Sequence, residues 1–264
     1  MSPPLKVTIA QLLKVKNTHY DKLVHELSQS TKTGLSELDS WKLNFSNTLK
    51  SRHMTSSTDP ESFQISKEEL LKLIDWKLKK GKFRPTLRSL VNQNSEDTIV
   101  STIQQAFTLF LATQSQANGK SQYLDLVKQT ITILVKLRGI GPATASLILS
   151  LLNKITNKAP PFFSDEAAML VLTTNAKLKY NLKEYLEYVD WFYELNGKFQ
   201  FNNEELEQGV WCLGIGKQLY GEDYLLIEQE TIKVDSGIKR KTPDQESAKT
   251  SSRSERAAKR RKPN

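Results

Sequence analysis

From Lys136 to Leu152 the sequence reads KLRGIGPATASLILSLL. Two glycines flanking one aliphatic residue, Gly139, Ile140 and Gly141, make a very tight turn, because glycine takes positive φ freely and lets backbone approach another molecule closely. A helical pattern ends in Lys136-Leu137, and a second one, apolar on nearly every side, begins at Pro142. The first amides of that second helix form an anion site suited to a phosphate, and small residues (Ala143, Thr144, Ala145, Ser146) keep side chains out of its way. A phosphate held there supplies affinity and register without reading sequence. The same turn also serves as a plain helix connection with no ligand.

A second candidate surface lies upstream. Lys77, Lys79, Lys80, Lys82, Arg84 and Arg88 fall within twelve residues that contain no acid, with Phe83 among them. Such a run either grips a phosphate backbone, adding about one unit of salt slope per phosphate neutralised, or forms a solvated face with cations at a helix C-terminus. Lys79, Lys80, Lys82 and Arg84, with Arg138 from the turn, are the candidate backbone contacts. A second Gly-Ile-Gly, Gly214 to Gly216, follows Val210, Trp211 and Leu213 at core spacing, which favours a glycine-tolerant helix contact over a second hairpin. The aromatic stripe Tyr185, Tyr188, Trp191, Phe192 and Tyr193 fits a core better than a base-stacking platform. His19, His25 and His53 show no metal-ligand spacing, so neither metal nor cofactor is expected.

The composition narrows the class. The chain has 264 residues, 38% of them hydrophobic, enough for a sizeable core. A lone cysteine, Cys212, rules out a disulfide framework and any site built on several thiolates. No run of about 18 apolar residues could span a bilayer, and charge interrupts the N-terminal segment too early for a secretory signal. The chain therefore reads as a soluble intracellular protein. Of the net charge of +9, the last 36 residues carry eleven Lys or Arg against five Asp or Glu, a net of +6 that leaves only +3 for residues 1–228. The tail has almost no large apolar residue after Ile238 and is expected to be disordered from about Gln229. Within it, Lys239, Arg240 and Lys241, then Lys259, Arg260, Arg261 and Lys262 after a polar spacer, look like a bipartite nuclear import signal read by an import receptor. The alternative is a solubilising tail that binds nucleic acid nonspecifically.

The body, residues 1–228, predicts an all-α fold, with N-terminal helices over 1–50, a polar gap from Lys50 to Pro60, and a helical core over 61–228. Ser66 with Glu69 reads as a capping box and Gly81 as the stop of one helix. Pro85 opens a short helix, Ser95 caps the next, and Asn118-Gly119 breaks the chain before the helix that enters the turn. Four helices follow: Pro142 to Leu152, Asp165 to Leu178, Leu182 to Leu195, and Asn203 to Leu219.

Leu137, Gly139, Ile140, Gly141, Thr144 and Ala145 together resemble the hairpin of the helix-hairpin-helix DNA glycosylases, with Arg138 in place of the usual proline. The resemblance covers about Gln122 to Leu172 and the remaining helices in outline. It implies DNA as partner, phosphate binding at Gly139, Ile140, Gly141, Ala143 and Thr144, and a catalytic aspartate some twenty residues on, a place that Asp165 occupies. In that family the carboxylate stabilises positive charge on the sugar ring as the N-glycosidic bond breaks, after the base has been turned out of the duplex. The chain departs from the pattern elsewhere too, and the stretch from hairpin to Asp165 is a few residues longer than usual. Pro142 and Ala143 stand where strand-cutting members carry a lysine nucleophile, and Glu166, Ala167 and Ala168 replace the polar residues that often follow the aspartate. Together with the tail's import clusters, the resemblance implies a nuclear DNA-binding protein, either a lysine-free glycosylase acting through Asp165 or a binding module that has lost catalysis. On its own, Ser164 or Asp165 at a helix start is equally a cap. A protein-docking module that uses the turn only as a connection is the reading from another class.

Overall fold

The computed structural model describes residues 5–55, 63–172, 177–221 and 224; the basic tail and both import clusters lie outside them. The described residues form ten α-helices and no strand: α1 (Ile9–Ser30), α2 (Leu35–Thr55), α3 (Lys67–Lys80), α4 (Leu87–Asn92), α5 (Glu96–Thr113), α6 (Lys120–Leu134), α7 (Pro142–Ser150), α8 (Asp165–Val171), α9 (Leu182–Asn196) and α10 (Asn203–Tyr220). The all-α expectation holds.

Helix ends follow local chemistry. Ser66 Oγ accepts from the Glu69 amide while the Glu69 carboxylate accepts from the Ser66 amide, and Gly81 closes α3. Ser95 caps α5, Gly119 precedes α6, and Pro142 stands at the first position of α7. Two expectations need correction. The polar stretch after Lys50 is not a gap at its start, since α2 continues to Thr55 and Arg52 forms an ion pair with Glu69 of α3 at 2.6 Å. The helix at Asp165 is also shorter than its apolar pattern suggests: it stops at Val171, where two threonines and an asparagine, all weak helix formers, follow within four residues.

The core sits around α7. Every residue from Ala143 to Ser150 is buried, as an all-round apolar helix requires. Around it, α5 packs on α6, α6 on α9, and α1 runs along α10, which also receives α8. The aromatic stripe of α9 belongs to this core: Tyr185, Tyr188 and Phe192 are buried. Tyr185 and Tyr188 donate their phenol protons to the Pro161 and Phe162 carbonyls at 3.1 Å, and the Phe163 amide donates to Ser146 Oγ of α7 at 3.0 Å. The extended segment leading to Asp165 is thereby pinned from both sides. The second Gly-Ile-Gly lies within α10. A Cβ at Gly214 would come within 2.8 Å of the Glu166 carbonyl, so glycine there lets α8 and α10 approach closely.

Candidate nucleic-acid interface and a buried charge cluster

The turn between α6 and α7 is built so that its two glycines have different duties. Gly139 takes φ +82°, and a Cβ on it would come within 3.0 Å of both Leu90 Cβ and the Val91 nitrogen of α4. Asn94, just past α4, fixes the neighbouring peptide, accepting from the Arg138 amide at 2.9 Å and donating to the Arg138 carbonyl at 3.0 Å. Gly141 faces the other way: it is exposed, with no atom within 4 Å of where a Cβ would stand. Its carbonyl accepts from the Thr144 and Ala145 amides at 2.9 Å. Its own amide and that of Ala143 have no acceptor among the described residues, as the first turn of a helix requires. The Ile140 amide is spent on the Leu137 carbonyl at 3.0 Å, and the Ile140, Ala143 and Thr144 side chains are buried. Of the five predicted phosphate-site residues, Gly141 and Ala143 keep amides without an acceptor among the described residues, while Gly139 packs on α4 and the Ile140 and Thr144 amides are spent within the turn. The Arg138 side chain is exposed beside it.

Asp165 opens α8 and is half-buried. The preceding Ser164 does not cap the helix with its side chain; its hydroxyl donates to Glu207 of α10 instead. Tyr180 lies within electrostatic range of the Asp165 carboxylate, and its pKa is raised by burial and then by Asp165. The Arg84 guanidinium lies over the Tyr180 ring at 4.6 Å. Lys77 and Lys32 lie within electrostatic range of Asp165, and burial lowers the pKa of both. The structure therefore brings Arg84 of the cationic run to the predicted carboxylate, and a six-residue helix, α4, leads from there to the turn at Gly139.

The rest of the run divides. Lys82 and Arg84 are exposed. Lys79 donates to the Thr33 carbonyl at 2.7 Å, and Arg88 pairs with Asp75 at 2.8 Å. Lys80 is corrected outright, because at 2% exposure its ammonium cannot reach a phosphate. It occupies a box of three aromatic rings, 4.3 Å from the centre of Tyr20, 4.2 Å from Trp211 and 5.1 Å from Trp76. A charge aligned with three ring faces is stabilised by their quadrupoles, which partly offsets its loss of water.

This box is the centre of a buried polar cluster that sequence reading did not anticipate. Lys80 donates to the Tyr20 hydroxyl. Tyr20 and Trp76 both donate to Asp39 Oδ1 at 2.9 Å, which stands 3.8 Å from the Lys80 ammonium. Beside them Lys42 pairs with Glu204, and Lys32 covers the end of α3 by donating to the Lys80 and Gly81 carbonyls. Glu166 is buried with Oε2 lacking any hydrogen-bond partner among the described residues, and burial raises its pKa. Burial holds the Glu207 carboxyl up at about 7, against the pull of Lys80, and holds the Lys42 ammonium down at about 8.

The cluster makes stability depend on pH near neutrality. Glu207 takes up a proton on folding between its ordinary 4.5 and about 7, so its contribution is greatest below 4.5 and falls as pH rises through 7. Lys42 gives up a proton on folding between about 8 and 10.5, so its contribution is least favourable below 8 and improves above it. Both are at their worst between about 7 and 8. Glu207→Gln, which keeps an acceptor for Ser164 without the charge, should remove the first slope. From pH 5.5 to 7.5 the wild type should lose about 2 kcal/mol relative to the variant in urea denaturation. A gap that stays constant with pH would show the carboxylate to be ionised throughout.

Among the described residues no helix is long and apolar enough to cross a membrane. No family model matches the chain, and no curated protein or solved structure gives a significant match.

Proposed function

We propose that this chain is a nuclear DNA-binding protein of the helix-hairpin-helix glycosylase type, which holds the phosphate backbone at the N-terminus of α7. The observation that carries the reading is the asymmetry of the turn. Gly139 is locked against α4, while the Gly141 and Ala143 amides have no acceptor among the described residues and a Cβ at Gly141 would meet nothing within 4 Å, beside the exposed Arg138. Every helix start leaves such amides; here they stand next to an exposed cation, a combination that suits a phosphate. The tail clusters, Lys239 to Lys241 and Lys259 to Lys262, would bring the protein to the nucleus through an import receptor.

Gly141→Asp tests the reading cleanly. Aspartate is a favoured N-cap residue and complements the helix dipole, so the fold should be unharmed or slightly stabilised, while its carboxylate stands where a phosphate would sit. Salt-dependent binding to duplex DNA by the wild type, weakened at least tenfold in the variant at unchanged thermal stability, supports the proposal. Equal binding by both proteins removes the hairpin from it.

Asp165 is the residue of this chain that would serve base excision, half-buried at the end of a pinned segment. Single-turnover excision on a panel of damaged and mismatched duplexes, wild type against Asp165→Asn, separates a glycosylase from a binding module. Excision lost in the variant establishes the first. Intact binding with no excision by either protein establishes the second and leaves Asp165 as an electrostatic anchor for Tyr180 and Arg84. Little favours the protein-docking reading: of the large apolar side chains on α1 and α2, only Met54 is exposed among the described residues.

A further inference from the structure

The link between α3 and α4 reads Gly81-Lys82-Phe83-Arg84-Pro85, and Phe83 at its centre is 70% exposed. Lys82 and Arg84 on either side are exposed as well. Arg84 is pre-positioned by the Tyr180 ring, 4.6 Å from its guanidinium. Lys179, next to Tyr180, adds a further exposed cation from a different part of the chain. A large aromatic with a rim of cations is not a self-contained apolar patch. It suits a ligand that has both a flat apolar face and anionic groups a few ångströms away.

Resting on the DNA-binding reading above, we propose that Phe83 is a stacking platform for an unpaired base, so that the protein prefers nucleic acid with single-stranded character over perfect duplex. Lys82, Arg84 and Lys179 would neutralise the phosphates on either side of that base. The balance of two effects sets the preference. Stacking of a base on an aromatic side chain is worth roughly five- to a hundredfold in affinity. Opening a paired step to admit the ring costs as much or more, so the gain is realised where the bases are already unstacked. The geometry lets both contacts act on one strand. α4, about 9 Å long at helical rise, runs from the Phe83 link to the turn, where Leu90 and Val91 hold Gly139 and Asn94 holds Arg138.

The test compares binding by fluorescence anisotropy to a perfect duplex, the same duplex with a short central unpaired bubble, the single strand, and RNA of the same sequence. Wild type should bind the bubble and the single strand about tenfold more tightly than the duplex. Phe83→Ala should lose that difference while keeping its affinity for the duplex. Phe83→Trp should restore it, with tryptophan fluorescence quenched on binding the single strand and not the duplex. RNA bound as tightly as the DNA strand would make the platform indifferent to the sugar; weaker RNA binding would assign it to DNA. Equal wild-type affinity for bubble and duplex, or a preference that survives in Phe83→Ala, overturns the proposal and leaves the hairpin reading intact. Absence of binding to every nucleic acid overturns both.

Discussion

Lys80→Met should destabilise the protein by about 3–5 kcal/mol, the usual consequence of removing one member of a buried ion pair and leaving the other without compensation. Methionine fills most of the space of the lysine stem and can pack among Tyr20, Trp76 and Trp211, so loss of packing is minor. The effect comes from Asp39. It keeps the hydrogen bonds from Tyr20 and Trp76 and loses the ammonium 3.8 Å away. Adding Asp39→Asn to Lys80→Met should therefore recover at least half of the loss, since a neutral amide oxygen accepts the same two hydrogen bonds. Urea denaturation at constant slope would read this out. A double variant no more stable than the single one would mean that the aromatic box, and not the aspartate, is what the lysine satisfies. A surface lysine, as the run KLKKGKFR suggests on first reading, would change stability by less than about 0.5 kcal/mol.

Gly139→Ala should destabilise by about 2–4 kcal/mol. The left-handed backbone at φ +82° disfavours any side chain by about 1–2 kcal/mol. The added Cβ, within 3.0 Å of Leu90 Cβ and the Val91 nitrogen, adds the penalty of overpacking against backbone that cannot retreat. Gly141→Ala is the internal control: with extended backbone and empty space around it, the substitution should lie within about 0.5 kcal/mol of neutral. Thermal unfolding of the pair decides. Equal effects would mean that α4 does not hold the turn as described. The contrast also governs how binding is tested, because a charge placed at Gly139 would unfold the site it is meant to probe, whereas Gly141 accepts one.

Much of the fold was legible because helix ends are local events. Ser66 with Glu69, Ser95, Gly119 and Pro142 each act within one turn of chain, and each was readable. The turn at Gly139 to Gly141 was legible as a shape, but not the division of labour within it, which depends on α4 lying against one glycine alone. The charge cluster was illegible by residue type, since Asp39, Lys42, Lys80, Glu204 and Glu207 are ordinary surface residues until three distant helices meet. A signal was nonetheless present in the spacing. Leu35, Asp39, Lys42, Ser46 and Leu49 recur at steps of three and four, as do Leu73, Trp76 and Lys80, and again Glu204, Glu207 and Trp211. Charged residues at the core positions of an amphipathic stripe announce partners elsewhere in the chain.

The cluster has a consequence for the order in which the protein can be completed. Lys42 and Lys80 belong to the first third of the chain, while Glu204, Glu207 and Trp211 arrive with α10. At about 5–20 residues per second of synthesis, the emerging N-terminal helices wait on the order of ten seconds for Glu204, which neutralises Lys42, and for Trp211, which closes the ring box around Lys80. During that interval closure of α1, α2 and α3 around a dry Lys42 ammonium without its Glu204 partner is unfavourable. The early helices are thus kept open and wet until the last one can enter between them, and any fragment ending before α10 should behave as an expanded, aggregation-prone intermediate.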